Sequence, residues 1–286
     1  MSLPRFDYRA PQTVAEAVAL RREFGDEALV MAGGLATMIL LRERLVRPRV
    51  IVSLSEVPAL QRIDANGELR IGAMVAHAAV ARSAAVGAMA PLLREACGRV
   101  GSPAIRNMGT LGGSVCHGDA ASDAAPALLA LGAEALVAGP GGERRVPLSA
   151  FFVGPWTTAL EGDELLTALC VPRPVAGTRT RFVKYTATSA EAFSTVTAAI
   201  SITLDGTGTC ADARIGLGSV GPTPLRATAA ENVLRGLKLT RQIIAEAAAG
   251  AMACTDPSSG GQGSAEYRRE MTGVWVRRLL EDMASR

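Results

Sequence analysis

Two paired-glycine segments hold the residue types best suited to ligand chemistry: Ala32, Gly33, Gly34, Leu35, Ala36 and Thr37, directly after the apolar run Ala28–Met31, and Gly109, Thr110, Leu111, Gly112, Gly113 and Ser114. Glycine tolerates positive φ and lets backbone N–H groups reach a ligand with no side chain between, and successive amides in such a turn make an anion-binding nest. A diphosphate is the natural guest of two such segments. Gly-Gly alone also marks ordinary turns, so it is the pair, each joined to an apolar stretch, that points to a nucleotide cofactor. Ser122 and Asp123 follow the second segment as helix N-cap and first-turn acid, and a helix start so close adds free amides and a dipole that favour anions.

Other reactive side chains are sparse. Cys97, Cys116, Cys170, Cys210 and Cys254 are odd in number, well separated and never in a C-x-x-C pair, which argues against a disulfide framework, a zinc site or a self-contained iron–sulfur cluster. They read as buried free thiols, with Cys116 placed to face a ligand. His77 and His117 are too few for a metal cluster. His77 reads as a structural capping residue; His117 and Asp119, beside the second glycine segment, are candidates to lie near the ligand. No Ser-His-Asp or Cys-His constellation exists, so neither a catalytic residue nor a metal ligand is expected. Trp156, Trp275 and Tyr267 read as packing or interface residues.

The elements that must position these residues follow from pattern. Thr13 and Glu16 form a capping box for a helix ending near Gly25. A strand at Ala28–Met31, a helix carrying Met38 to Leu41 and a β-branched strand over 49–54 complete a β-α-β-α-β unit. A hairpin turns at Asn66-Gly67, alanine-rich helices follow, and the second glycine segment is read as a loop leading to a helix over 124–131. Another hairpin turns over 139–142. The Pro/Gly-rich stretch 172–177 reads as a domain linker. Beyond it lie strands over 196–204 and 213–217, helices over 228–234 and 241–252, a loop over 258–263 and a last helix over about 265–283. Strands followed by helices suggest an antiparallel sheet with helices on one face.

The chain has 286 residues, 49% of them hydrophobic, enough for two domains with substantial cores. Its formal charge of +3 is dispersed among neighbouring acids and aromatics are only 4%, which excludes a nucleic-acid groove or a base-stacking platform. The N-terminal residues lack an apolar signal region and no apolar stretch approaches the ~18 residues of a membrane span, so a cytoplasmic chain with no integral membrane segment is expected. The first segment does not match the G-x-G-x-x-G of a dinucleotide-binding Rossmann unit, and no P-loop is present.

At this point the residues resemble a family: the FAD-binding medium subunits of molybdenum hydroxylases, the xanthine dehydrogenase and carbon monoxide dehydrogenase group. The resemblance rests on FDYRAPQTVAEA, AGG before an apolar helix, LRIGAMVAH, IRNMGTLGGS, DAASDAAPALLAL, TPLRATAAE and SAEYRREMTGVWVRRLL, which span nearly the whole chain in order. It implies an α+β chain: a vanillyl-alcohol-oxidase-type FAD-binding domain over 1–176, built of two α/β subdomains (about 1–57 and 58–176), then a small C-terminal α+β domain with an antiparallel sheet over 177–286. By the same resemblance, Ala32 to Thr37 and Thr110 to Ser114 hold the FAD diphosphate and neighbouring sugar, and Met31, Gly109 and, by its place in the adjoining segment, His117 are counted with the cofactor-binding residues. Asp123 matches an acid near the cofactor's polar chain, Gly101 lies where the chain passes the isoalloxazine, Leu165 and Leu166 are apolar contacts, and Lys184 is a basic residue near the flavin at the domain junction. The pattern departs at Ala36, where Ser or Asp is usual, at Ser114, where Asn is usual, and at Ala187 and Thr188, where arginines are usual. The second segment therefore carries most of the specificity.

What the resemblance implies for function is an electron-transfer subunit: FAD here, [2Fe-2S] clusters in a small partner subunit, molybdopterin in a large one, assembled as a dimer of heterotrimers. Two other readings stay open, a freestanding FAD oxidoreductase and a scaffold subunit that no longer binds FAD.

Overall fold

The computed structural model describes residues 3–285. Its first unit is β1 (Asp7–Arg9), α1 (Val14–Phe24), β2 (Ala28–Met31), α2 (Leu35–Arg42) and β3 (Val50–Ser53), with the strands paired in parallel in the order β1-β3-β2. The Thr13 hydroxyl accepts from the Glu16 N–H at 3.1 Å, while the Glu16 carboxylate accepts from Gln12 at 2.8 Å, one residue earlier than a capping box requires. All of β3 is buried, and Ala17 and Val18 of α1 close over it.

The second unit contains β4 (Ile63–Asp64), β5 (Leu69–Gly72), six helices, α3 (His77–Arg82), α4 (Ala84–Met89), α5 (Pro91–Gly98), α6 (Pro103–Met108), α7 (Leu111–His117) and α8 (Ala124–Ala130), then β6 (Glu134–Gly139), β7 (Gly142–Pro147), β8 (Phe152–Gly154), β9 (Thr157–Thr158) and β10 (Leu165–Val171). Its five-stranded sheet runs β4-β5-β10-β6-β7, antiparallel throughout. The central strand β10 is buried at all seven positions, so its sequence LLTALCV lacks the alternation that marks a half-exposed strand. Sequence analysis placed no strand there, because a short continuous apolar run reads equally as buried helix. The second glycine segment also differs from the loop expected: Thr110 caps a helix beginning at Leu111, with its hydroxyl 3.0 Å from the Gly113 N–H.

After the exposed connector 172–177 come β11 (Thr178–Tyr185), β12 (Val196–Leu204), β13 (Cys210–Gly218), β14 (Leu225–Arg226), α9 (Thr228–Leu234), α10 (Arg241–Ala253) and α11 (Ala265–Ala284). The four strands form an antiparallel sheet in chain order, and β11 was another strand that pattern reading omitted. α9 packs on β13 and α11 on β11 and β12, while α8 of the preceding unit contacts β12, β13 and β14. Every residue of α8 is buried, which its small-residue sequence AAPALLA permits.

Candidate functional site

Gly33 brings the two glycine segments into backbone contact. A Cβ on Gly33 would lie 2.0 Å from the Met108 carbonyl oxygen, so no side chain fits between the strand β2 exit and the α6–α7 junction. Gly34 follows with φ +79, a left-handed conformation that suits glycine, and turns the chain into α2. Since Gly34 has no side chain, the N–H groups of Leu35, Ala36 and Thr37 open the helix without a side-chain cap, and no acid stands in its first turn. They are half-buried first-turn donors at the positive end of a helix dipole.

The second segment is built differently. Its N–H groups are already engaged: Leu111 donates to Val75 O (2.9 Å), Gly112 to Ala73 O (3.0 Å), Gly113 to the Thr110 hydroxyl and Ser114 to Thr110 O (3.0 Å). Gly112 is required because a Cβ would stand 2.5 Å from the Ala73 Cβ and 2.7 Å from its oxygen. The N–H groups of 111–114 thus have protein acceptors while the first turn of α2 has no side-chain cap, and both segments line one cavity. Thr110→Ala is expected to cost about 1 kcal/mol, the usual value of a lost N-cap, in urea unfolding, by freeing the first turn of α7.

His77 fixes the second segment. Its N–H donates to Gly109 O (3.0 Å) and its Nε2 shares a 2.7 Å hydrogen bond with the Ser114 hydroxyl. The side chain is 1% exposed, and burial pushes its pKa down to about 4, so the ring is neutral at pH 7. Its capping role expected from sequence is therefore one of bracing the second segment.

Between the segments lies a cavity of about 560 Å³, lined by both of them together with Leu29, Val30, Leu54, Ala73, Cys116, His117 and the stretch from Leu160 to Leu166 that contains Gly162 and Glu164. Of the residues singled out from sequence, it gathers all six of 32–37, Gly109, Thr110, Gly112, Gly113, Ser114, His117, Leu165 and Leu166. Met31, Gly101, Leu111, Asp123 and Lys184 do not line it: Leu111 is fully buried in the core, and Gly101 lies where the Arg106 guanidinium braces its carbonyl at 2.8 Å. Cys116 does face the cavity, with its thiol pushed up to about 12 by burial and so un-ionised. Sequence reading missed Arg21, Asp26 and Glu161 on the lining; a double arginine on an amphipathic helix and isolated acids look like solvated residues.

Asp123 and Lys184 form a pair off the cavity lining, where the C-terminal sheet meets α8. Lys184 Nζ lies 2.7 Å from Asp123 Oδ2 and 3.0 Å from Arg99 O, and the two side chains are 4% and 8% exposed. Ser122, not Asp123, supplies the side-chain cap of α8. Burial pushes the Asp123 carboxyl up to about 6 against the pull of Lys184. Its second oxygen, Oδ1, is buried without a protein partner, an acceptor awaiting a donor. The uncapped amides and the glycine-only approach at Gly33 fit a ligand with an anionic centre in the cavity, while the unpartnered Asp123 oxygen lies off that lining. Among the described residues, no group of three or more His, Cys, Asp or Glu side chains gathers to hold a metal, and no helix is long and apolar enough to cross a membrane.

Comparison with known proteins agrees with this geometry. The FAD binding domain in molybdopterin dehydrogenase matches residues 4–174, and the CO dehydrogenase flavoprotein C-terminal domain matches 181–283. The chain is 37% identical over 282 residues to the carbon monoxide dehydrogenase medium chain of Afipia carboxidovorans, covering 98% of this chain and 97% of that one. It is 34% identical to the 6-hydroxypseudooxynicotine dehydrogenase complex subunit alpha of Paenarthrobacter nicotinovorans, over 98% and 95% of the two chains. A solved structure of reconstituted CO dehydrogenase from Oligotropha carboxidovorans superposes with a TM-score of 0.95 at 36% identity, over 100% of both chains.

Proposed function

The chain belongs to the family of FAD-binding medium subunits of molybdenum-dependent dehydrogenases, and from that membership we propose that it holds FAD in the cavity between its two N-terminal subdomains and serves as the electron-transfer subunit of a heteromeric hydroxylase. The observation that carries the site assignment is the uncapped start of α2, facing across the cavity to 109–114. FAD held there would supply one- and two-electron redox chemistry between the [2Fe-2S] clusters of a small partner subunit and an external acceptor.

The chain's own residues bind and orient. The Leu35, Ala36 and Thr37 amides neutralise a diphosphate, the Thr37 hydroxyl adds a donor, and the small side chain of Ala36 leaves those amides unshielded. Leu165 and Leu166 provide an apolar wall on the same cavity. Asp123, through its free Oδ1, accepts from a cofactor hydroxyl, while Lys184 keeps the carboxylate oriented from the C-terminal sheet. We place Gly101 on the isoalloxazine side and the domain boundary at 176/177. The remaining partner is a large molybdopterin subunit, in a cytoplasmic dimer of heterotrimers, and substrate choice resides in that subunit. Purification of this chain alone and co-expressed with its partners tests the reading by absorption spectroscopy: flavin bands near one FAD per chain are expected, and their absence from both preparations would overturn it.

A further inference from the structure

Arg21 spans the far end of the same cavity. From the last turn of α1, one guanidinium nitrogen donates to the carbonyls of Gly25 (3.0 Å) and Ala28 (2.5 Å), and the other donates to Gly162. Gly25 and Ala28 belong to the first subdomain; Gly162 lies between β9 and β10 of the second. One planar fork therefore ties the two subdomains together on the cavity it lines.

Its location in the cavity follows from β2. Ala28 and Ala32 are four residues apart along an extended segment, roughly 13 Å at ~3.3 Å per residue, so Arg21 acts well away from the α2 amides. Asp26 and Glu161, chain neighbours of the carbonyls Arg21 holds, line the cavity too. Two carboxylates repel a phosphate and accept from sugar hydroxyls, which suits this end to a nucleoside. On the FAD reading, on which this inference rests, the diphosphate lies at the α2 amides, and the acid-flanked Arg21 end takes the adenosine half.

We infer that Arg21 is a positioning residue that holds the Gly162 loop over the adenosine half of the bound dinucleotide and so sets cofactor retention. Lysine cannot replace it, because a single ammonium lacks the planar fork that reaches carbonyls on both subdomains.

The test uses the deflavinated full chain and its Arg21→Ala and Arg21→Lys variants, titrated with FAD, ADP and FMN, with hydrogen exchange followed over 160–164. Both variants are expected to bind FAD and ADP about tenfold more weakly, the loss of one charge-assisted contact, with FMN affinity within about twofold of the parent and faster exchange in the loop. Unchanged ADP affinity would overturn the inference, and so would an equal loss of FMN, which would mark Arg21 as general scaffolding. Failure of the parent chain to bind FAD at all would instead defeat the FAD reading of the site.

Discussion

Gly33→Ala is expected to yield a folded chain with almost no bound flavin, its FAD affinity lower by on the order of 10²-fold, the penalty of displacing a binding group by ~1 Å. The reason is geometric. The added methyl would sit 2.0 Å from the Met108 carbonyl oxygen and 2.9 Å from its carbon, both backbone atoms that no rotamer change can move. Relief requires β2 and the α6–α7 junction to separate, which widens the cavity between the α2 amides and their opposite wall. The core of the first subdomain, built on β3 with Ala17, Val18 and Leu60, does not include Gly33, so folding survives the change. Flavin content and FAD titration of the purified variant measure the effect. Affinity within threefold of the parent, with unchanged circular dichroism, would show that the contact between segments does not shape the site. Gly112→Ala pushes the wall from the other side, against Ala73, but there the strain falls in the second subdomain's core, so lost stability is expected along with lost flavin.

The contrast between these glycines marks what a sequence carries and what it hides. Both segments, which line one cavity, stood out in the sequence because Gly-Gly beside an apolar run is a local signal, and the first βαβαβ unit followed from caps and β-branched runs of ordinary length. What glycine is for at each position was not legible. Whether an amide is free depends on partners brought by distant elements: Ala73 and Val75 take the N–H groups of Gly112 and Leu111, and only the fold shows that they do. β10 escaped for the same reason, since a strand buried on both faces has no periodicity to betray it. Arg21 looked solvated because its acceptors are main-chain carbonyls, one of them 141 residues away.

Wild-type stability is expected to be nearly independent of Asp123 and His77 between about pH 4 and pH 6, and each single variant should expose a slope of opposite sign. Burial raises the Asp123 carboxyl from 3.8 to about 6, so its contribution is fully present below pH 3.8 and is lost as pH rises through 6. Burial lowers His77 from 6.5 to about 4, so its contribution is full above pH 6.5 and is lost as pH falls through 4. Near pH 5 the native chain holds a proton on Asp123 and none on His77, while the unfolded chain holds one on His77 and none on Asp123. The two states therefore carry equal protons at these sites, and the slopes cancel. In Asp123→Asn only the histidine remains, and stability relative to the parent should climb with pH by up to about 1.4 kcal/mol per unit; in His77→Gln it should fall by the same amount. Urea unfolding at half-unit steps from pH 4.5 to 7 resolves the two trends, because contributions from other carboxylates are common to all three proteins. Lys184→Met adds a directional check. It strips the buried carboxylate of its cation, so the carboxyl takes up a proton instead of standing as an unpaired charge, and it should carry the falling limb to higher pH by raising Asp123 further. Curves for Asp123→Asn and His77→Gln that run parallel to the parent would mean that neither group is held in the protonation state its burial dictates.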